Sequence, residues 1–342
     1  MILKFLKTLD RRIIFLFMAI AVILPTITGQ RFPVQPSPMT DDFASVLKEL
    51  KSNDTVLLSA DYDPGSQAEL QPMTLAFMKY CFDNNIKVVT MALWPLGSKL
   101  IESALNHDRI YIPREKAIEL MSKGKNVYVI SKKRSGAEEK IEKRGNKYIF
   151  IRDNNQGEES ILNNEDKYYV KGLYSIYDDI KYGVDYLDIG YKVGGLVVIQ
   201  GIVNDFEETV KTDTLNNKSV LDYPITRNIK NLKDFSAVFT ISSGNMGIKE
   251  WVVYGNGPTG VKVLSGVTAV SAPEFLPYLT SKQLSGLLAG LAGAAEFEAA
   301  TNYYEGEASK GMTPQSYAHL VIIFFILLGN GVYITEKYFI KE

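Results

Sequence analysis

The sequence predicts an α/β protein: a Rossmann-like open, mostly parallel sheet with helices on both faces, flanked by N- and C-terminal transmembrane helices. Apolar runs such as TVLLSA (55–60) and IKVVTMALW (86–94) alternate with helical patterns. Strands that are apolar on both faces are typical of parallel sheets covered by helices. Long apolar stretches near both ends of the chain predict the two spans.

The N-terminal apolar stretch comprises residues 13–29 and follows a basic tail, residues 1–12. A basic flank before an apolar run is typical of a transmembrane anchor and of a cleaved signal peptide. The run is short for a spanning helix, so both interpretations stay open, and we favour the anchor.

The C-terminal apolar stretch, residues 317–335, contains no charge that is fixed at neutral pH and predicts a transmembrane helix. Lysines follow it in the tail 336–342, as they precede the first span. Positive charges favour the cytoplasmic side, so we expect both tails in the cytoplasm. This predicts a two-pass protein of the bacterial cytoplasmic membrane with its main domain in the periplasm.

The region between the spans begins with a Pro-rich linker, residues 30–42, and continues as an extracytoplasmic α/β domain, residues 43–312. The domain contains a charged insertion, 107–170, whose composition is typical of a solvated segment. Within it, NVYVIS (126–131) and KYIFIRD (147–153) are predicted to pair as a hairpin around the first charged run.

The second half of the domain resumes the α/β pattern. Strands are predicted at GGLVVIQGI (194–202), DFSAVFTISS (234–243) and GVKVLSGVTAV (260–270), and a helix at NDFEETVKT (204–212). The run 279–304 predicts one long helix. The total is five or six strands in one open sheet.

That last helix contains small residues four positions apart, a spacing that allows close backbone approach. Two uses stay open: packing on its own sheet, or contact with another subunit. The candidate partner-contact residues are Ser285, Gly286, Ala289, Gly290 and Gly293.

Composition excludes several functional classes. The net charge of -1 shows no basic excess, so no nucleic-acid partner is expected. A single cysteine, Cys81, excludes an internal disulfide and a multi-cysteine metal site. The sequence has no G-x-x-x-x-G-K-S/T phosphate loop. We therefore assign no cofactor, no metal and no catalytic residue, and whether the protein is an enzyme stays uncertain, with non-enzymatic function favoured.

Ligands of open parallel sheets bind beyond the carboxyl ends of the strands. Several polar residues fall at such ends and predict a binding crevice. These candidate residues are Asp61, Asp63, Ser66, Ser242, Ser243, Asn245 and Ser271.

The stretch DYDPGSQAELQP (61–72) has a structural interpretation and a chemical one. Asp63 to Ser66 has turn chemistry, and Ser66 with Glu69 predicts a capping box on the following helix. Asp61-Tyr62-Asp63 also resembles the first motif of haloacid-dehalogenase-type phosphatases. That resemblance implies a nucleophile, an acid and a magnesium ion, but Pro and Gly follow where the family has Gly-Thr.

Five stretches together resemble a family of uncharacterised bacterial membrane-anchored α/β proteins. They are DYDPGSQAELQPM (61–73), MALWPLG (91–97), GYKVGG (190–195), GVTAVSAPEFLPYL (266–279) and GLLAGLAGAAEFE (286–298). The resemblance covers both anchors and most of the α/β part but not the charged insertion. It implies architecture and location only.

From these observations we expect a membrane-anchored extracytoplasmic subunit of a bacterial envelope assembly, with a scaffold or docking role. Its expected partners are the membrane and other envelope proteins or further copies of itself. One alternative is a small-molecule-binding sensor or transport-associated subunit that uses the strand-end crevice. Another is a metal-dependent hydrolase at Asp61 and Asp63.

Overall fold

The structure is a computed structural model of a mixed α/β chain. It describes residues 10–29, 32–106, 110–130, 138–145, 147–151, 157–160, 162, 166–177, 180–244, 246–303 and 306–339. The strands are β1 (Thr55–Asp61), β2 (Lys87–Ala92), β3 (Ile110–Ile112), β4 (Val127–Ile130), β5 (Glu138–Arg144), β6 (Lys147–Ile151), β7 (Gly157–Ser160), β8 (Lys167–Val170), β9 (Tyr186–Tyr191), β10 (Ala237–Ser242), β11 (Lys262–Val267) and β12 (Gly286–Ala289).

Helices cover both sheets and extend beyond them. They are α1 (Arg11–Thr28), α2 (Pro38–Glu49), α3 (Gln67–Asp83), α4 (Gly97–Leu105), α5 (Arg114–Ser122), α6 (Leu196–Asn204), α7 (Phe206–Val210), α8 (Ile248–Glu250, the π-helical Trp251–Asn256, and Gly257–Thr259), α9 (Ala272–Thr280), α10 (Gly290–Ala300) and α11 (Glu307–Phe339). Short 3-10 turns lie at Leu173–Ile176, Val220–Asp222 and Leu232–Asp234.

The main sheet has six parallel strands in the order β12-β11-β10-β1-β2-β9. Along the chain it grows outward from β1 through β2 to β9. The chain then returns to the centre with β10 and grows the other way through β11 to β12. The direction of growth therefore reverses between β1 and β10. This confirms the predicted mostly parallel sheet.

Helices bury both faces of the main sheet. One core contains residues of α2, α3 and α10, including Phe43, Phe77 and Phe297. The other contains residues of α6, α7 and α8, including Phe206 and Trp251. This two-sided burial explains why the strands are apolar without alternation.

Two predicted elements change type. Residues 194–202 are predicted as a strand but form the start of α6, in which Val198, Ile199 and Ile202 are buried on one helical face. The predicted long helix at 279–304 is also wrong, because β12 precedes α10. Leu287 and Leu288 are both fully buried, as a strand covered on both faces requires.

The charged insertion is folded as a second sheet, which is antiparallel in the order β3-β8-β4-β5-β6-β7. The hairpin predicted between 126–131 and 147–153 is wrong, because β5 lies between β4 and β6. In β5, the buried Ile141 is flanked by charged residues at 140 and 142 that are half-buried. A strand with one covered face needs apolar residues only at alternate positions, so a charged run was compatible with a strand.

The two apolar stretches form helices α1 and α11, both long and apolar enough to cross a membrane. They pack against each other, with the rings of Phe17 and Phe325 at a centroid distance of 5.9 Å. The predicted linker 30–42 ends earlier than expected, because α2 begins at Pro38. The residues between α1 and α2 are also attached to α11, since Phe32 N donates to Thr313 Oγ1 at 3.1 Å.

Candidate functional site

The reversal of the main sheet lies beside Asp61. In the strand register Asp61 pairs with Ser242, the last residue of β10. The next residue, Ser243, donates its backbone N–H to the carbonyl of Asp61 at 3.4 Å. The structure therefore brings together three of the predicted crevice residues at the position where open α/β sheets bind ligands.

The carboxylate of Asp61 is buried and hydrogen-bonded within the chain. Ser59 Oγ donates to Oδ2 at 2.7 Å, and Leu93 N donates to Oδ1 at 2.5 Å. Gly247 covers it so closely that a Cβ there would lie 3.2 Å from Oδ2. Burial raises the pKa of Asp61 to about 7, against the lowering effect of the Ser59 and Leu93 hydrogen bonds. Asp61 thus ties the end of β1 to the chain that leaves β2.

Asp63 lies in a turn and has different partners from Asp61. Ser66 N donates to the Asp63 carbonyl at 3.1 Å and to Oδ1 at 3.2 Å, as in a β-turn stabilised by its first side chain. The predicted capping box is wrong, because the Ser66 side chain makes no capping hydrogen bond. Glu69 instead accepts from Ala269 N at 2.9 Å, which links α3 to the loop after β11.

The remaining candidate residues at the strand ends bond to their own loops. Ser242 Oγ donates to the Met246 carbonyl at 2.5 Å. Ser271 Oγ lies 3.0 Å from Thr268 Oγ1. Asn245 lies outside the described residues. Ligand binding at this crevice stays a prediction.

The donors for a magnesium-dependent hydrolase are not assembled in the described part of the chain. No group of three His, Cys, Asp or Glu residues there could hold a metal ion. Asp61 is enclosed by Ser59 and Leu93, whereas a nucleophile must reach its substrate. Asp61 and Asp63 therefore hold neighbouring backbone in place here, and the hydrolase alternative stays a prediction.

A second polar centre, which the sequence did not indicate, surrounds Asp188 in the edge strand β9. The register slips here, because Thr90 pairs with Asp188 but Met91 pairs with Gly190. Such bulges re-aim side chains, often beside functional sites. Asp188 lines a cavity of about 560 Å³ between α4 and the segment 212–216. The only trace in the sequence is an acid within the apolar run YLDIGY.

A group of exposed apolar side chains lies at the carboxyl ends of β2 and β9, which are neighbours in the sheet. We call it the apolar corner: Trp94, Leu96, Tyr191, Val193 and Val197. Val193 is 80% and Val197 71% exposed. Large exposed apolar side chains in one region of a surface are a feature of contact sites.

The candidate partner-contact residues pack inside the domain. A Cβ on Gly286 would lie 2.4 Å from the Cα of Phe43, and one on Gly293 would lie 2.9 Å from the backbone of Leu288. Gly290 has φ +60° and lies against Ala269. Ser285 and Ala289 flank and end β12 and are half-buried. The small residues thus permit close packing within the chain, and their contact with a partner stays a prediction.

Comparison of the chain with protein-family models, with curated proteins and with solved structures finds no match.

Proposed function

We propose that the chain is a membrane-anchored docking subunit with a Rossmann-like domain. In this proposal α1 and α11 span the membrane, and the apolar corner binds an extramembrane segment of another envelope protein. The observation that carries it is the exposure of five large apolar side chains around the carboxyl ends of two adjacent strands, from the end of β2 and β9 to the start of α6. The strand order supports the Rossmann-like assignment, since it corresponds to the order 3-2-1-4-5-6.

The distribution of basic residues supports an extracytoplasmic domain. Lys4, Lys7, Arg11 and Arg12 precede or begin the first span, and Lys337 follows the second. Both ends then lie in the cytoplasm under the positive-inside rule. In this proposal the domain between the two spans lies on the opposite side of the membrane from both tails, and its partner is reached there.

The environment of Asp61 supports a non-enzymatic role. Its two oxygens accept from Ser59 and Leu93, and Gly247 covers it. A catalytic carboxylate must lie within hydrogen-bond reach of its substrate. Asp61, the first residue of the phosphatase-like motif, thus uses its carboxylate to connect the end of β1 to the chain after β2.

The test is site-specific photo-crosslinking of the full chain in its native membrane. The crosslinker is placed at Val193 in the corner and, as a matched control, at Val270, which is 89% exposed after β11. We expect an adduct with a different membrane or envelope protein from position 193 and not from 270. Equal adducts from both positions, no adduct from 193, or an adduct only with a second copy of the chain would each overturn the proposal.

A second experiment introduces charge into the apolar corner and measures how much of the partner co-purifies with the chain. Val193→Asp with Val197→Asp places two carboxylates in the contact, where they lose hydration without gaining a partner. We expect at least a tenfold loss of the cross-linked partner in co-purification. Val270→Asp is the matched control and should leave recovery unchanged.

A further inference from the structure

The cavity beside Asp188 has the dimensions and walls of a small-molecule site. Its volume of about 560 Å³ falls within the range of ordinary ligand pockets, roughly 300–1,000 Å³. Leu105, Ile180 and the rings of Tyr182 and Tyr186 supply apolar wall. Asp188 contributes a half-buried carboxylate to the lining, whereas Lys99 and Glu102 are exposed.

The Asp188 carboxylate is held in one orientation by several donors. Oδ1 accepts from Thr90 Oγ1 at 2.9 Å and from Gly190 N at 3.1 Å. Oδ2 accepts from Thr214 Oγ1 at 2.9 Å and from Ser98 Oγ at 3.3 Å. The Ser98 contact is the longest, so a stronger donor from a ligand can replace it on Oδ2.

The wall formed by the segment 212–216 is held in place by hydrogen bonds within the chain. Asp213 accepts the backbone N–H groups of Leu215 at 3.1 Å and Asn216 at 2.9 Å. The hydroxyl of Tyr182 donates to the same carboxylate at 2.9 Å. Lys192 Nζ donates to the Thr212 carbonyl at 3.3 Å. The segment that carries Thr214 and Leu215 is thereby locked to the ring of Tyr182, which gives a largely preformed pocket.

We propose that this cavity binds an organic cation: a molecule with an apolar or aromatic body and a protonated amine. The amine would lie towards Asp188 and Glu102, and the body against Tyr182 and Tyr186. Among the described residues that line the cavity, two are carboxylates and one, Lys99, carries an ammonium group, so their charge favours a cation. Tyrosine rings also attract cations. This inference is independent of the docking function.

The probe is tryptamine, which carries an ammonium group. Two relatives of similar shape are compared with it: tryptophol, which is uncharged, and indole-3-propionate, which is an anion. Binding to the full chain in detergent is measured by titration calorimetry. We expect tryptamine to bind at least tenfold more tightly than either relative, because only tryptamine carries the ammonium. Equal affinity of all three probes, or preference for the acid, would overturn the proposal.

Variants locate the binding. Asp188→Asn should weaken tryptamine at least tenfold, whereas Glu207→Gln, an exposed carboxylate outside the cavity, should not change it. Since Asp188 has four donors, its variant can fail to fold. Two surface variants therefore accompany it: Glu102→Gln, and Leu215→Trp, which fills the cavity from a side chain that is 69% exposed. Unchanged affinity in both surface variants would contradict the assigned location.

Discussion

Glu296 and Glu298 lie two residues apart on α10, and each accepts hydrogen bonds from a segment connected to an apolar span. Glu296 Oε2 accepts from Ser37 N at 3.0 Å and from Thr40 Oγ1 at 2.7 Å, at the start of α2. Glu298 accepts from Ala308 N at 2.9 Å and from Ser309 N at 2.8 Å, at the start of α11. One short helix thus attaches the domain to the segments that lead into both candidate spans.

Glu298 should make stability depend on pH. Burial raises its pKa from 4.5 to about 7, against the lowering hydrogen bonds from Ser309 and Ala308, while Glu307 raises it further. Lys310, paired with Glu307, and the buried Tyr303 lie nearby. A raised carboxyl pKa means that the folded state binds more protons than the unfolded state. The contribution of Glu298 to the free energy of unfolding is fully present below about pH 4.5 and is lost as the pH rises through about 7.

The corresponding variant is Glu298→Gln. We expect the decrease in the free energy of unfolding between pH 5 and pH 8 to shrink by about 3 kcal/mol. The measurement is denaturant unfolding of the full chain at both pH values. Glu296→Gln is the control, and it should keep the wild-type slope. A Glu298→Gln slope identical to wild type would refute the assignment.

Glu296→Ala should loosen the connection between α1 and α2. It removes the acceptor of Ser37 N and of the Ser37 and Thr40 hydroxyls. Loss of these hydrogen bonds to a charged acceptor costs about 2 kcal/mol. Limited proteolysis should cut residues 32–37 faster than in wild type. An exposed substitution, Glu207→Ala, should leave the cleavage rate unchanged, and equal rates in the two variants would count against the role of Glu296.

Asp61 offers a direct contrast between two substitutions. Asp61→Asn keeps an oxygen for Leu93 N and places an amide beside Ser59 Oγ, which can accept. We expect it to unfold within about 1 kcal/mol of wild type, whereas Asp61→Ala leaves both donors unpaired and costs about 2–3 kcal/mol. Thermal and denaturant unfolding measure both. Similar losses for Asn and Ala would mean that the charge, and not the acceptor, is required.

Gly286→Ala should be severely destabilising. Its Cβ would lie 2.4 Å from the Cα of Phe43, and backbone cannot move aside as a flexible side chain does. Overpacking of this kind costs about 3 kcal/mol. Gly257→Ala is the matched control, because the nearest atom to its Cβ, the Val252 carbonyl oxygen, is 3.9 Å away. A folded, wild-type-like Gly286→Ala protein would show that α2 does not pack on β12 as described.

A row of hydroxyl residues crosses the centre of the sheet, where Ser59, Thr240 and Ser265 are register partners. Within the described chain, Thr240 Oγ1 and Ser265 Oγ are buried without a hydrogen-bond partner. Thr240→Val keeps the shape and removes the unpaired group, so we expect about 1 kcal/mol of stabilisation. Ser59→Ala should destabilise, since Asp61 loses a donor. Destabilisation by Thr240→Val would show that its hydroxyl is bonded in solution.

Strands β1, β2, β10 and β11 were predictable because each is a continuous apolar run followed by turn residues. The helix that begins within residues 194–202 was not predictable, since a short apolar run suits a buried strand and a buried helix equally well. The position of Asp61 at a strand end beside Ser242 was predictable from the parallel topology. The cavity at Asp188 was not predictable, because a bulge and the distant segment 212–216 create it. Neither feature leaves a periodic pattern in the sequence.

Helix α11 determines how the domain is presented. It runs for 33 residues, about 50 Å, from the buried Ala308 to Phe339. A domain on a flexible tether sweeps a volume and meets partners from many directions. If α11 spans the membrane as proposed, the position of Val193 relative to the bilayer depends on the tilt of this helix, with Pro314 the point of easiest bending. The proposed partner would then have to lie at one defined place beside the span, and a change in bilayer thickness would move that place.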